Sequence, residues 1–412
     1  MLTLFNSMTR RLEAFQPMED KKVKMYTCGP SIYQLPHIGN YRTFLYEDVL
    51  QRYLEYLGYE VERVLNLTDV EDKAIAEAEK EGITLKKLTK RNAKVFLKEL
   101  RMLKAKIPTF IPRSSTSVDQ AVNLIERLLE KGYAYWHDGN VYYDPLKFKG
   151  FGKLYGLDLS KWPKTKRRFH KDTYPGNRWN RGDFILWHGY KKGEKVYWET
   201  KLGKGRPAWN VQDPAMATQH LGFKVDISCG GTDNIIRHHD YIIAIVEGVS
   251  GEQFARYWLH GAILYIDGKK MSKSRGNIVY ARDLIKQSCK WNQLRFFLIY
   301  GHYRKRINFT WAKYRKTCKR LQQFQNTVKN LISMQPAGKE SSPQTKRLVV
   351  MLKTDFEKNM NDDLHVSDAF DALFKTVSKL ATLKERGKFG AEDSRRTMGS
   401  LKEIDRVLQV IF

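Results

Sequence analysis

Two short segments of the chain carry side chains that suit chemistry on phosphates. The first, at 37–40, reads His-Ile-Gly-Asn, and the second, at 270–274, reads Lys-Met-Ser-Lys-Ser. Residues 25–30 read as a strand that breaks at a Gly-Pro loop, and apolar residues recur at helical spacing after the first segment. His37 and Asn40 are therefore expected at the mouth of a helix, where free backbone N–H groups and the helix dipole favour a phosphate.

The second segment is predicted to be a loop that holds a leaving group. It follows the apolar run 258–266 and an Asp-Gly turn, and it carries two ammonium groups, on Lys270 and Lys273. Lysine is a compact point charge on a flexible stem, which suits a mobile clamp on pyrophosphate. Both lysines are therefore expected to stabilise negative charge that develops on a nucleotide.

A parallel sheet must bring these two segments together. The apolar periodicity predicts an α/β fold, with a Rossmann-like doubly wound parallel sheet split by an insertion and followed by an α-helical domain. A strand at 225–227 is expected to end at Gly230 and Gly231, which permit close approach of a ligand at its carboxyl end. Helices are predicted at 41–57, 74–104 and 118–132, a strand at 59–66 and a hairpin at 133–143. The predicted domains are the first half of the nucleotide-binding domain at 1–73, an inserted connective region at 74–205, the second half at 206–309 and a helical domain at 310–412.

The charge of the chain indicates a polyanionic partner. Its 412 residues include 73 Lys and Arg against 45 Asp and Glu, which gives a formal net charge of +28. Eleven basic and two acidic residues lie in 147–181, and eight basic and no acidic residues lie in 304–320. Aromatic residues are interleaved with these charges, so bases could stack while basic side chains reach phosphates. The alternative is that the aromatics are core residues and the charges form a solvated face.

The composition also excludes several classes of protein. Neither a secretory signal nor an apolar run long enough to span a membrane is present, so a soluble, cytoplasmic protein is expected. The four cysteines, at 28, 229, 289 and 318, show no CxxC spacing and predict no disulfide framework.

The motifs together resemble a known family. The segments at 37–40 and 270–274 resemble the HIGH and KMSKS signatures of class I aminoacyl-tRNA synthetases. Further matches, collinear from about residue 20 to the C-terminus, narrow the resemblance to the cysteinyl-tRNA synthetase family. They are Tyr26-Thr27-Cys28-Gly29-Pro30, Asn66-Leu67-Thr68-Asp69, Asp183-Phe184-Ile185-Leu186-Trp187, Gly230-Gly231-Thr232-Asp233, His238-His239-Asp240 and the run from Lys270 to Asn277.

This resemblance implies ATP-dependent activation of an amino acid, with cysteine favoured, and its transfer to tRNA. In the family, the amino-acid carboxylate attacks the α-phosphate of ATP, which Mg²⁺ accompanies, and the adenylate passes to the 3′ end of the tRNA. Members are often monomers, and a monomer is expected here. The resemblance implies catalytic roles for His37, Asn40, Lys270 and Lys273. It implies an ATP-binding set of Gly29, Gly39, Gly231, Asp233, Met271, Ser272 and Ser274, and an amino-acid pocket of Cys28, Thr68, Trp209, Asp213 and His238.

The metal site of the family is only partly present in this sequence. Family members select cysteine with a Zn²⁺ ion held by two Cys, one His and one Glu, because soft sulfur and hard hydroxyl differ greatly as zinc ligands. Cys28 and His238 keep their places, while Asp213 stands at the second Cys and Ile242 at the Glu. Three interpretations stay open: zinc on Cys28, Asp213 and His238, a relocated thiolate at Cys229, or a pocket without metal that selects another amino acid.

Two other functions also stay open. One is a ligase that joins an activated amino acid to a small amine, as the related cysteine ligase of the mycothiol pathway does, although such an acceptor gives no reason for the basic charge. The other is a non-catalytic tRNA-binding paralog, which the altered pocket favours. Typical members carry a further small domain after the helical region, and this sequence stops at Phe412. Without that domain, either the tRNA is read through fewer contacts or the activated amino acid passes to an acceptor that is not a full tRNA.

Overall fold

The computed structural model describes residues 1–158, 160, 183–272, 275–332 and 341–412. The strands are β1 (Thr3–Asn6), β2 (Arg11–Ala14), β3 (Lys22–Thr27), β4 (Glu60–Leu65), β5 (Ala134–His137), β6 (Asn140–Tyr143), β7 (Phe184–Gly189), β8 (Trp198–Thr200), β9 (Gly203–Pro207), β10 (Val225–Gly231), β11 (Ala255–Gly261), β12 (Leu264–Ile266), β13 (Lys269–Lys270) and β14 (Ile307–Phe309). The α-helices are α1 (Ile38–Tyr56), α2 (Asp72–Lys80), α3 (Leu85–Met102), α4 (Val118–Glu130), α5 (Trp209–Leu221), α6 (Asp240–Ser250), α7 (Ala281–Lys286), α8 (Trp291–Ile299), α9 (Trp311–Ile332), α10 (Pro343–Asn361), α11 (Val366–Glu385) and α12 (Ala391–Leu408).

A four-stranded parallel sheet, in the order β11-β10-β3-β4, forms the centre of the fold. β3 and β4 come from the first predicted half and β10 and β11 from the second, and the halves pair directly, with Ser228 opposite Tyr26. Strands of such a sheet are covered on both faces, and every residue of β10 is buried. The predicted Rossmann-like α/β fold is confirmed. Because the strands are parallel, their carboxyl ends meet at one edge, which is where such sheets bind ligands.

Helices cover the two faces of this sheet. α1 crosses from β3 to β4 on one face and buries Leu45, Val49 and Tyr53 at helical spacing. α5 and α6 cover the opposite face, where their apolar side chains pack on alternate sheet residues such as Tyr26 and Trp258. The sheet therefore separates a layer that contains α1 from a layer that contains α5 and α6.

An antiparallel sheet of five strands, in the order β5-β6-β7-β9-β8, lies within the predicted insertion. The predicted hairpin is present as β5 and β6, and its turn uses left-handed backbone at Asp138 (φ 45°) and Gly139 (φ 72°). The predicted boundary at 205/206 falls within β9, which leads directly into α5. β9, the last strand of this sheet along the chain, therefore sets the direction in which α5 approaches the central sheet.

The region from 310 onward is helical in its described parts. α9 packs against α8 and α11, and α10 packs against α11 and α12. Arg295 on α8 joins this region to the central fold, because its fully buried guanidinium donates to the Asp48 carboxylate at 2.7 Å and to the Leu408 carbonyl oxygen at 2.8 Å. Within the described ranges, no helix is both long and apolar enough to cross a membrane.

Candidate active site

The two phosphate-chemistry segments meet at the start of α1. His37 is the N-cap: its Nδ1 accepts the Asn40 backbone N–H at 3.2 Å, and the Asn40 Oδ1 accepts the His37 N–H at 3.0 Å. The backbone N–H of Ile38 donates to the Val279 carbonyl oxygen at 3.0 Å. This bond ties the helix to the chain that follows the second segment, 270–274, which is the lysine loop. A reciprocal cap of this kind fixes the first helical turn and its exposed N–H groups.

Gly39 provides the space in which the two segments touch. A Cβ atom at this position would lie 2.6 Å from the Met271 Cε and 3.0 Å from the His37 ring. Met271 is buried in this contact, which sets the lysine loop against the helix mouth. The predicted ATP-binding residues Gly39 and Met271 are therefore neighbours.

The described part of this loop is held by the side chain of Asn277. Lys270 is exposed at the end of β13, and its carbonyl oxygen accepts the Asn277 Nδ2 at 3.2 Å. The Asn277 Oδ1 accepts the Ser272 backbone N–H at 2.9 Å. A cavity of about 830 Å³ opens beside this loop, with Lys269, Lys270 and Arg275 in its lining. Lys273 and Ser274, predicted for catalysis and ATP binding, lie outside the described residues.

Two predicted ATP-binding glycines lie where strands end. A Cβ on Gly29, just after β3, would lie 1.7 Å from the Asn66 carbonyl oxygen, so no larger residue fits. Gly231 ends β10, and its N–H donates to the Asn234 Oδ1 at 3.2 Å. Asp233 is exposed beside it. Burial lowers the pKa of His37, with an opposing effect of the Asp233 charge, so the imidazole is uncharged at neutral pH.

The predicted amino-acid pocket lies at the same sheet edge, on the side of α5 and α6. The His238 Nε2 lies 3.1 Å from the Cys28 Sγ and 3.0 Å from the Asp213 Oδ2, and the Cys28 Sγ lies 3.5 Å from that same oxygen. The Trp209 ring stacks obliquely over His238, with centroids 4.6 Å apart. Burial, followed by the Asp213 charge, raises the pKa of Cys28 well above its usual value.

Asp213 is the centre of a buried hydrogen-bond network. Its Oδ2 accepts the Tyr26 hydroxyl at 2.8 Å, and its Oδ1 accepts the Asn66 Nδ2 at 3.0 Å and the Thr68 hydroxyl at 3.5 Å. The Asn66 Oδ1 accepts the Gly29 N–H at 2.9 Å and lies 3.0 Å from the Tyr26 hydroxyl oxygen, the alternative acceptor for the Tyr26 proton. One carboxylate thus links the ends of β3 and β4 to the first turns of α5.

Neither Cys229 nor Ile242 contributes a side-chain ligand atom to this cluster. Cys229 is fully buried among the apolar residues on the α1 face of β10, and this burial raises the pKa of its thiol well above the usual value. Ile242 is buried among apolar residues of α5 and α6. The structure therefore brings Cys28, Asp213 and His238 together but does not bring the Cys229 thiol to them.

Comparisons with known proteins identify the family of this chain. Residues 14–319 match the family model for the catalytic domain of class I tRNA synthetases (C). Cysteine–tRNA ligase of Chlamydia pneumoniae is 38% identical over 413 residues, which cover 100% of this chain and 86% of that protein. Cysteine–tRNA ligase of Brevibacillus brevis is 36% identical over 414 residues, which cover 99% and 87%. The chain belongs to the cysteinyl family of class I tRNA synthetases.

Solved structures of other class I synthetases share the fold. Methionyl-tRNA synthetase of Mycobacterium tuberculosis, bound by methionyl-adenylate, has a TM-score of 0.67 and 14% identity, over 95% of this synthetase and 90% of that chain. A structure titled as a putative arginyl-tRNA synthetase of Campylobacter jejuni has a TM-score of 0.64 and 13% identity, over 96% and 94%. At such identities the likeness shows the fold of the synthetase and no more.

Three pocket residues were missing from the predicted site. Tyr26 reads as an ordinary strand residue, and only its position two residues before Cys28 signals its place. Asn66 belongs to the Asn-Leu-Thr-Asp motif, and its central position becomes apparent only when β3 and β4 lie side by side. His239 stands next to His238 in the sequence, and its significance depends on burial, which a sequence pattern does not report.

The basic stretches are only partly described. Most of 147–181 lies outside the described residues, and within its described part Phe151 is buried against Phe184 and Tyr241. In 304–320, Phe309 and Tyr314 are core residues of the synthetase, while seven basic residues are exposed. They are Arg304, Lys305, Arg306, Lys313, Arg315, Lys316 and Lys319. For this stretch, Phe309 and Tyr314 pack into the core, whereas Trp311 is exposed beside the basic residues.

Proposed function

We propose that this synthetase activates cysteine with MgATP and transfers the cysteinyl group to tRNA. The observation that carries the proposal is the convergence of Cys28, Asp213 and His238, from three distant parts of the chain, next to the two phosphate-chemistry segments. The full-length similarity to cysteine–tRNA ligases supports it.

Activation requires the cysteine carboxylate to attack the α-phosphate, with pyrophosphate as the leaving group. The His37 Nδ1 accepts a backbone N–H, and the ring is uncharged, so the proton resides on Nε2. His37 is therefore a neutral hydrogen-bond donor to a phosphate oxygen. The ammonium of Lys270 supplies positive charge opposite the pyrophosphate, and we assign the same role to Lys273. Catalysis of this kind is positioning and electrostatic stabilisation, without a protein nucleophile.

The donor atoms of the amino-acid pocket fit a zinc ion. Zinc bonds of about 2.0–2.3 Å place tetrahedral ligand atoms about 3.3–3.7 Å apart, close to the 3.0, 3.1 and 3.5 Å that separate the side-chain atoms of Cys28, Asp213 and His238. When bound, zinc supplies a Lewis acid that prefers the thiolate of cysteine to the hydroxyl of serine. Tyr26 and Asn66 orient the Asp213 carboxylate by donating to both of its oxygens.

Exposed cations on α9 support a polyanionic acceptor. Lys313, Arg315 and Lys316 project from one side of the helix, whereas Tyr314 and Cys318 pack into the core. We propose that this face contacts the tRNA backbone. A small-amine acceptor would have no use for such charge, so binding that weakens steeply with salt is expected for tRNA.

ATP–pyrophosphate exchange with each of the twenty amino acids, without tRNA, tests the first step. Exchange with cysteine and not with serine supports the proposal, followed by salt-sensitive transfer of labelled cysteine to tRNA. Exchange with a different amino acid would overturn the cysteine assignment. Exchange with cysteine but transfer only to small amines would overturn the tRNA assignment. No exchange with any amino acid would leave tRNA binding without catalysis and overturn the enzymatic role.

A further inference from the structure

A second imidazole lies behind the amino-acid pocket, in a chain of buried hydrogen bonds. The His239 Nδ1 lies 2.8 Å from the His260 Nε2, and the His260 Nδ1 lies 2.8 Å from the Ser7 hydroxyl oxygen. His239 is fully buried, and its Nε2 has no hydrogen-bond partner in the described part of the chain. The positions of β1, β10 and β11 fix this arrangement, because the Ser7 N–H donates to the Trp258 carbonyl oxygen at 2.7 Å.

The hydrogen-bond chain determines where the His239 proton resides. If Nε2 carried it, an N–H donor would be buried without an acceptor, at a cost of about 1–3 kcal/mol. If Nδ1 carries it, His239 donates to the His260 Nε2, and His260 donates from its Nδ1 to the Ser7 oxygen. Each bond then has one donor and one acceptor. The arrangement thus leaves an unused lone pair on the His239 Nε2, which is the tautomer of a metal ligand held by an outer hydrogen bond.

This nitrogen lies close to the pocket. One ligand atom from each of Cys28, His238 and His239 lies within 4.8 Å of the other two. The His239 ring packs directly on the backbone of Gly230, where a Cβ atom would come within 2.7 Å of its Cε1. A tetrahedral zinc site requires ligand atoms about 3.3–3.7 Å apart, so the ring needs to move inward by no more than ~1.5 Å.

We propose that the His239 Nε2 binds the metal ion of the amino-acid pocket, beside Cys28 and His238, and supplies the ligand that Ile242 cannot. His260 and Ser7 are positioning residues that hold His239 in the required tautomer. The proposal deepens the proposed function and rests on it for the role of the metal, which is to bind the thiol of cysteine.

Metal affinity and cobalt spectra test the proposal without reliance on activity. His239→Asn keeps an amide near the position of Nδ1, where it can still bond to His260, but it removes Nε2. We expect its affinity for Zn²⁺, measured by competition with a chromophoric chelator, to fall by about 100-fold or more, and that of His260→Ala to fall by about 10–100-fold. The visible spectrum of the Co²⁺ form should change in His239→Asn, because a nitrogen ligand is lost. His220→Ala, which removes an imidazole stacked on Phe110 far from the pocket, is the matched control and should behave as the parent protein.

The outcomes separate this proposal from the proposed function. Zinc affinity and a cobalt spectrum that are unchanged in His239→Asn would overturn it, as would a parent protein that binds neither metal. If the parent protein binds no metal but exchanges pyrophosphate with cysteine, the metal ligand is wrong and the function stands. If His239→Asn weakens zinc binding but no amino acid supports exchange, the ligand is right and the function is wrong. Thermal unfolding of each variant shows that a loss of metal does not result from a loss of fold.

Discussion

Replacement of Asp213 by Asn is the sharpest test of the amino-acid pocket, because the contacts of this residue predict a small loss of stability and a large loss of zinc affinity and exchange. The amide NH₂ cannot face Asn66, whose Nδ2 is a donor fixed in orientation by the Gly29 N–H that its Oδ1 accepts. It can face Tyr26 and His238, because a hydroxyl and an imidazole can each switch to accept. Every buried donor then keeps a partner, and the main loss is that of charge-assisted bonds. We expect Asp213→Asn to lower the free energy of unfolding by only about 1–2 kcal/mol.

The chemical effect of the same change should be large. In this orientation the introduced NH₂ group points at the position of the metal, where the carboxylate Oδ2 of Asp213 had supplied negative charge. We expect the affinity for Zn²⁺ to fall by about 100-fold, and cysteine-dependent pyrophosphate exchange to fall with it. Urea unfolding, chelator competition and exchange with cysteine and serine measure the three quantities on one preparation.

Asp226→Asn is the matched control. Asp226, on β10, is as buried as Asp213 on α5, and its two oxygens accept the backbone N–H groups of Met18 and Lys24 at 2.6 and 2.8 Å. An amide satisfies only one of these donors, so we expect a loss of about 1–3 kcal/mol in stability, with zinc affinity and exchange unchanged. If Asp213→Asn behaved like Asp226→Asn in zinc affinity and exchange, the assignment of Asp213 to the metal site would be refuted.

Three further predictions follow from single contacts. Lys270→Ala should slow exchange by about 100-fold or more, whereas Lys269→Ala, the change at its equally exposed neighbour, should not. Both variants should unfold at the same midpoint as the parent protein. Equal exchange rates in the two variants would exclude a phosphate role for Lys270. Gly29→Ala should lower the free energy of unfolding in urea by about 2–3 kcal/mol, because its Cβ would lie 1.7 Å from a backbone oxygen. Gly399→Ala, whose Cβ would meet nothing within 4 Å, should raise this free energy by about 1 kcal/mol. A Gly29→Ala protein as stable as the parent would contradict the packing. Burial raises the pKa of Glu71 to about 7, above its unfolded value of 4.5, so the folded state holds this proton more tightly than the unfolded state. The free energy of unfolding should therefore decline as pH rises from 4.5 to about 7. Glu71→Gln should lack this decline, and an unchanged dependence of stability on pH would contradict the shift.

The parts of the fold that depend on local chemistry could be predicted from the sequence. Asp138 and Gly139 readily adopt the left-handed backbone conformation that the turn requires, so these two residues are enough to predict the hairpin of β5 and β6. The helix after the first segment was predicted to start at 41 and begins instead at Ile38, because a histidine serves as its cap and histidine is not a usual capping residue. The helical region predicted at 74–104 is divided, since Gly82 has a φ of +63° and Thr84 caps α3. Both signals were in the sequence, but the apolar periodicity continues across the break and hides it.

The candidate site depends on contacts that no local pattern contains. Cys28, Asp213 and His238 were predicted as a set from the resemblance, whereas their approach to within 3.5 Å results from strand order and from the angle at which α5 meets the sheet edge. The tautomer of His239 depends on His260, a residue on β11 that no motif singled out. Such long-range polar contacts arise only after the sheet has formed, so periodicity and propensity cannot report them.

The two faces of the central sheet explain how the amino-acid pocket can differ from the family pattern while the nucleotide site keeps its form. His37 and the Gly39–Met271 contact belong to the layer that contains α1, whereas Asp213 and Ile242 belong to α5 and α6 on the opposite face. Among the described residues, α5 reaches the predicted ATP-binding residues at the sheet edge, where the Asp213 carboxylate accepts from Asn66 and Asn66 accepts the backbone N–H of Gly29. The proposed phosphate-binding side chains and the proposed metal ligands therefore lie on opposite faces of the sheet and meet only at backbone in this part of the structure. This separation is why loss of Lys270 should slow exchange with any amino acid, while changes at Asp213 and His239 should act on the recognition of the thiol.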